Sequence, residues 1–217
     1  MMKTVIVDYG SGNLHSVAKA FERAAADYKI KTNIVVSNKP EDLEKAERIV
    51  LPGVGAFKDC MNGLLAIDGL RAALQTQAIT NGKPILGICV GMQIMASRGL
   101  EHETTKGLGW IAGDVKPIAP IDATLKIPHM GWNTLKPHGQ HALLDGILTG
   151  DNGLHAYFVH SYHMETTLPE DVIATTEYGG EVTAMVGYDN IVGTQFHPEK
   201  SQELGLALIA NFLRWRP

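Results

Sequence analysis

The chain has little cysteine: Cys60 and Cys89 are the only two among 217 residues. Two thiols in unlike local contexts make no disulfide framework, which excludes a stapled secreted domain and points to a reducing compartment. Long apolar runs are also missing. Nothing approaches the roughly 20 apolar residues of a membrane-spanning helix, and the run after Met1-Met2-Lys3 is too short for the core of a signal peptide. A cytoplasmic protein without membrane contact is expected. Positive charge is scarce and scattered. Nineteen Lys and Arg against 23 Asp and Glu leave a net charge of -4, with no basic cluster of the kind that marks a nucleic-acid footprint. The nine histidines show no H-x-x-x-H spacing and the cysteines no C-x-x-C spacing. His160 and His163 come closest, so no metal site is expected.

What is present is an ordinary globular composition, 45% hydrophobic and 19% charged, in a chain long enough to bury its own core. Short apolar runs at Thr4–Val7, Ile34–Val36, Ile49–Leu51 and Ile85–Ile88 read as strands. Between them lie helical patterns: Leu14 to Ala25, a short helix opened by Pro40, Met61–Ala66 and Leu70–Ile79. This alternation predicts an α/β fold with a mostly parallel sheet and helices on both faces. In such sheets, sites gather at the carboxyl ends of the strands. After about Leu100 the helical patterns fade. Ala156–Val159, Val172–Thr176, Ala184–Val186 and Ile191–Thr194 read as strands of an added antiparallel sheet, followed by a last helix over about Gln202 to Arg214. No repeat or linker divides the chain, so residues 1–217 are expected to form a single domain.

Three glycine-bearing turns follow strands, and one holds a cysteine. "GICVG", Gly87 to Gly91, has the G-x-C-x-G spacing of a nucleophile elbow with sulfur in place of oxygen. Such a turn presents the side chain at the head of a helix, whose N-terminus favours a thiolate. The N–H of Val90 would then face an oxyanion. Cys60, in "FKDCMNGL", has no such frame and reads as structural. A cysteine nucleophile needs a base, and the base needs an orienting group. In "QFHPEK", His197 follows an apolar strand, and Pro198 can turn Glu199 back towards the imidazole. Alone, "HPE" reads more readily as an exposed His and Glu in a loop before a helix. Together with the elbow it points to acyl transfer through a thioester on Cys89, with His197 as general base and acid. "PGVG", Pro52 to Gly55, follows the third strand, where the N–H of Val54 could complete the oxyanion hole with Val90.

"GICVGMQ" with "FHPEKS" resembles the class I glutamine amidotransferases. Over essentially the whole chain, "VDYGSGN", "LPGVGAF", "PHMGWN" and "YFVHSY" are similar to the branch whose glutaminase subunits serve histidine biosynthesis. The resemblance implies a flavodoxin-like three-layer fold. It also implies hydrolysis of glutamine to glutamate and ammonia by a Cys89, His197 and Glu199 triad, without metal or cofactor. It implies a partner in a heterodimer, a cyclase (β/α)₈ barrel that receives the ammonia. Such a barrel takes about 250 residues, too many to be included here. By match of position, Gly53, Gly55, Gln93, His160, Ser161 and Tyr162 would bind glutamine. Asn13, Met130, Trp132, Tyr157 and Lys200 would meet the barrel. Val90 stands where the family most often has leucine, a change of little consequence for a backbone donor. The family further implies an oxyanion hole left incomplete until the barrel binds its ligand, and Gly53 and Gly55 make a peptide flip beside Val54 cheap.

Other readings stay open on the sequence. They are the glutaminase of a pyridoxal phosphate synthase, a non-catalytic regulatory module on the same scaffold, and a cysteine peptidase of related fold.

Overall fold

The computed structural model describes residues 2–122 and 124–217. In chain order, β1 (Met2–Val7) leads to α1 (Leu14–Asp27), β2 (Thr32–Ser37), α2 (Pro40–Glu44) and β3 (Arg48–Gly53). Then come α3 (Phe57–Ala66), α4 (Leu70–Gln75), β4 (Ile85–Cys89) and α5 (Val90–Gln93). Strands β5 (Ala96–Gly99), β6 (Thr105–Lys106), β7 (Ile111–Pro117), β8 (His129–Thr134) and β9 (Lys136–Pro137) follow. The last elements are β10 (His155–His160), β11 (Tyr162–Thr166), β12 (Val172–Glu177), β13 (Glu181–Tyr188), β14 (Ile191–Thr194) and α6 (Gln202–Arg214).

Eight strands form one sheet in the order β2-β1-β3-β4-β14-β13-β12-β9. The pairs from β2 to β14 are parallel and those beyond are antiparallel. The chain steps from β1 to β2 in one direction and from β3 to β4 in the other. Right-handed crossovers therefore place α1 on one face and α3 with α4 on the opposite one. Val17, Phe21, Ala24 and Ala25 form the buried stripe of α1, at the i, i+4, i+7, i+8 spacing of an amphipathic helix. Phe21 meets Phe212 of α6 edge-to-face, with ring centroids 6.3 Å apart.

The added strands depart in detail from the single antiparallel sheet expected. Ile191–Thr194 lies parallel to β4, with Thr194 opposite Ile88. A tight hairpin after β13 returns the chain into the middle of the sheet. Strands β11, β7, β5 and β6 form a separate sheet, and β8 pairs with β10 as an antiparallel ribbon. The helix expected over Leu70–Ile79 ends as α-helix at Gln75 and widens from Thr76 to Thr80 into a five-residue turn. The N–H of Asn81 closes that turn on the carbonyl of Thr76 at 3.0 Å.

Candidate active site

Gly53 of β3 stands opposite Cys89 of β4, and β14 ends beside them before running on to His197. Three carboxyl ends thus meet at one edge of the sheet, beside the point where strand order reverses. Cys89 has φ 54° and ψ -114°, a conformation that side chains other than glycine rarely adopt and that costs about 1–3 kcal/mol. The flanking glycines make the elbow possible by packing. A Cβ on Gly91 would lie 1.8 Å from the Leu51 carbonyl oxygen, and one on Gly87 would lie 2.8 Å from the Gly91 oxygen. The thiol at the head of α5 is buried: Cys89 is 4% exposed. It looks into a cavity of about 370 Å³ also lined by Val54, Gly55, Gln93, His160 and His197. That volume is at the small end of the range of about 300–1,000 Å³ for small-molecule sites.

His197 and Glu199 reach this cavity on a 3₁₀ turn, Pro198–Lys200. His197 Nδ1 donates to Glu199 Oε1 at 2.8 Å, which leaves Nε2 for the sulfur. Burial opposes a charge on this imidazole, but its hydrogen bonds and charge interactions with Cys89 and Glu199 outweigh that and raise its pKa to about 9. A protonated imidazole beside the sulfur is the partner a thiolate nucleophile requires. The backbone around His197 is clamped. Its N–H donates to the Tyr157 carbonyl at 3.0 Å, and its own carbonyl accepts from Ser201 Oγ at 2.7 Å. Ser201 Oγ in turn accepts the Tyr157 N–H at 2.9 Å.

Two expected positions take a different place. The N–H of Val54 does not face the cavity as an oxyanion donor. It donates to Ser11 Oγ at 2.9 Å, while that hydroxyl donates to the Val54 carbonyl at 2.8 Å. One side chain from the β1–α1 loop thus holds both ends of Val54. Cys60 Sγ lies 3.1 Å from the same hydroxyl, so the second cysteine packs beneath this clamp. Gly53 does not line the cavity. It is buried where a Cβ would fall 2.5 Å from the Gly91 nitrogen, so its role here is to let two backbones approach. Val90 opens α5, where its N–H has no partner within the helix. Gly55 is open to the cavity side, at φ +89°.

Gln93 is buried, and its Nε2 donates to the Tyr162 carbonyl and to Gln195 Oε1, both at 3.0 Å. His160, Ser161 and Tyr162 form the facing wall. Met130 and Trp132 are 66% and 47% exposed, on the outer side of the β8–β10 ribbon. Trp132 meets the Tyr157 ring at 5.6 Å, and Lys200 Nζ lies 5.7 Å over that ring. These four residues therefore share a surface that no core packing explains. Asn13 is not tied to them. Its Oδ1 caps α1 by accepting the Ser16 N–H at 3.3 Å.

The sequence reading missed several residues. Gln195 Nε2 lies 3.8 Å from Cys89 Sγ. It lies just past the end of β14, two residues before His197, where the backbone bends. Glu101 reaches the cavity from a loop and accepts the Phe57 N–H at 2.8 Å. No sequence signal marks it. His129 and Ser11 were not singled out at all. A larger cavity of about 610 Å³ opens among Met2, Arg48, Lys83 and Trp215. There Arg48 binds the Phe212 and Trp215 carbonyls and Lys83 those of Leu43 and Glu44. Arg48 and Lys83 are thus spent on anchoring backbone. Among the described residues no group of side chains could hold a metal ion, and no helix is long and apolar enough to cross a membrane.

Residues 5–215 match the family model of the class-I glutamine amidotransferases. The chain is 59% identical over 216 residues to subunit HisH of imidazole glycerol phosphate synthase from Rhizobium meliloti, and 58% identical to that of Mesorhizobium japonicum. Each match covers 100% of both chains. Among solved structures, a glutamine amidotransferase aligns over 93% of this chain and 94% of its own, with a TM-score of 0.67 at 19% identity. A second, from Thermotoga maritima, covers 91% of this chain and 76% of its own, with a TM-score of 0.62 at 16% identity. At those identities the structures speak for the fold alone.

Proposed function

Because this chain belongs to the class I glutamine amidotransferase family, we propose that Cys89, His197 and Glu199 release ammonia from glutamine through a thioester. The chain is the glutamine amidotransferase subunit of an imidazole glycerol phosphate synthase, serving histidine biosynthesis. The observation that carries the catalytic assignment is the strained Cys89 elbow facing a His197 whose Nδ1 is held by Glu199.

The Cys89 sulfur attacks the side-chain amide carbon of glutamine. The oxygen becomes an oxyanion at the Val90 N–H, and His197 passes its proton to the departing nitrogen, which leaves as ammonia. His197 then takes a proton from water. The hydroxide attacks the thioester carbon, glutamate leaves, and the sulfur returns to its starting state. Glu199 orients the imidazole and stabilises its charged form. Gly55, Gln93, His160, Ser161 and Tyr162 enclose a substrate of amino-acid size. The partner is a cyclase (β/α)₈ barrel, seated on Met130, Trp132, Tyr157 and Lys200, and the pair works in the cytoplasm. There the ammonia is added to a ribotide, giving imidazole glycerol phosphate and an aminoimidazole carboxamide ribotide.

The test is glutamate release by the purified chain, alone and with the barrel carrying its ribotide. A rise on the order of 10²-fold or more is expected, the worth of one oxyanion donor. Full activity without the barrel would remove the gated, two-subunit assignment while keeping the chemistry. No activity under either condition, with the barrel bound, would restore the regulatory-module reading.

The Ser11 clamp on Val54 gives that gating a local cause. With its N–H committed to Ser11, Val54 can serve an oxyanion only after its peptide turns. Ser11→Ala removes both hydrogen bonds and leaves the cavity walls in place. The isolated chain should then hydrolyse glutamine on the order of tenfold faster, with a smaller further response to the barrel. An unchanged rate in the isolated variant would show that the clamp is not the restraint.

A further inference from the structure

At the cavity wall, His160 of β10 faces His129 of β8 across the ribbon, with His129 Nδ1 and His160 Nε2 3.0 Å apart. His129 and His160 are 3% and 6% exposed. The direction of every bond in this group follows from its ends. His160 Nδ1 lies 2.8 Å from the Tyr162 carbonyl, which can only accept, so the proton is on Nδ1 and Nε2 accepts. The donor to Nε2 is therefore His129 Nδ1–H. That leaves His129 Nε2 as an acceptor, and the Asn133 side-chain amide stands 3.4 Å from it. Asn133 Oδ1 is itself occupied by the Thr134 N–H at 2.9 Å, which fixes the amide with its nitrogen towards the histidine.

The far end of the chain is the active site. The Tyr162 carbonyl also receives Gln93 Nε2, which donates to Gln195 Oε1, and Gln195 Nε2 points at Cys89 Sγ. We propose that His129 is a positioning residue of the glutaminase: its hydrogen-bond relay through His160 ends on the Tyr162 carbonyl, the acceptor shared with Gln93, which in turn holds Gln195 behind the nucleophile. This rests on the glutaminase reading above.

The relay has two physical consequences. It fixes one tautomer at each imidazole, and with it the wall against which glutamine is bound. It also keeps His160 neutral, since a second proton on its Nε2 would meet the His129 N–H head on. Burial pushes His129 down to about 4; burial first, then the neighbouring His129, His163 and His197, push His160 down to about 3 against the pull of the Tyr162 carbonyl. A cation at His160 would oppose the imidazolium that His197 must form. The rings of Phe158 and Tyr178 stack on His129 with centroids at 4.8 and 4.0 Å. This sandwich fixes the plane in which Nδ1 is aimed.

Ring-nitrogen NMR on the full-length chain tests the relay without any variant. Both His129 and His160 should be neutral and protonated on Nδ1 at pH 7. A proton on Nε2 of either ring would overturn it, whatever the enzyme's activity. Kinetics with the barrel and its ligand present supply the functional test. His129→Phe keeps a flat ring in the sandwich and removes the donor. It should raise KM for glutamine about tenfold, the effect of one unsatisfied buried acceptor, with kcat within about threefold. His129→Asn restores an N–H near the Nδ1 position and should recover most of that loss. An unchanged KM in His129→Phe, or equal losses in both variants that follow thermal stability, would reduce His129 to a packing residue. If neither variant folds, the tautomers of the unaltered chain decide. A wild-type chain that hydrolyses no glutamine under the same conditions would overturn the glutaminase reading and leave the tautomer result standing.

Discussion

Cys89→Ala should lower glutamate release by at least about 10⁴-fold with the barrel and its ligand present, and leave the chain folded. The magnitude follows from the way a nucleophile and its base act as one unit, so that losing either removes nearly all of their joint contribution. For the same reason, adding His197→Ala to Cys89→Ala should cost almost nothing further. The fold should survive because the alteration is small. Alanine occupies the same φ 54° backbone as cysteine, so strain is neither added nor relieved. The thiol's polar contacts are the His197 imidazole and, at 3.8 Å, Gln195 Nε2. Steady-state glutamate production and a thermal unfolding curve on the same preparation check both halves. Residual activity within tenfold of wild type would show that Cys89 is not the nucleophile, and the site would have to be reassigned.

Gly91→Ala should strongly destabilise the fold. Its Cβ would be placed 1.8 Å from the Leu51 carbonyl oxygen and 3.1 Å from the Pro52 carbonyl carbon. Both are backbone atoms of β3, which is held in register by β1 on one side and β4 on the other. No rotamer can relieve that contact, so β3 or α5 must move. A cost of about 3 kcal/mol or more is expected. In a chain of this size that lowers Tm by roughly 6–12 °C. Gly55→Ala provides the contrast. A Cβ there meets nothing within 4 Å, and only the positive φ opposes it, at about 1 kcal/mol. Thermal unfolding of the two variants side by side would show whether packing or backbone conformation dominates. A smaller shift for Gly91→Ala than for Gly55→Ala would contradict the close approach of β3 to α5.

Much of the central sheet was legible because its strands are short apolar runs ended by glycine. Such runs report burial on both faces, and burial is a property of local sequence. The grouping of Cys89, His197 and Glu199 was legible for a related reason. Residues at carboxyl ends of neighbouring strands must converge once strand order is known. The course of the second half was less accessible. Ile191–Thr194 has the composition of any buried strand, and only its pairing with β4 makes it a parallel central one. The hydrogen bonds that complete the site were the least accessible. Ser11 holds Val54 across 43 residues, and His129 meets His160 across 31. Gln93 joins Gln195 across 102. No local pattern encodes such a partner. Gly53 shows the converse limit. A glycine beside a pocket and a glycine between two backbones look alike in sequence, and the difference lies in what a Cβ would touch.

The position of β14 governs when the enzyme can first become active. It is the final strand to be synthesised, yet it occupies the middle of the sheet between β4 and β13. A nascent chain that has completed Cys89 must grow for roughly 5–20 s, at ordinary rates of synthesis, before His197 exists. During that interval β4 has a bare edge, open to mispairing, and the thiol has neither its base nor the carboxylate behind it. Insertion of β14 closes the edge and brings His197, three residues beyond it, to Cys89. The ribosome therefore delivers Cys89 well ahead of His197, and the segment that leads to the imidazole also covers the open edge of β4.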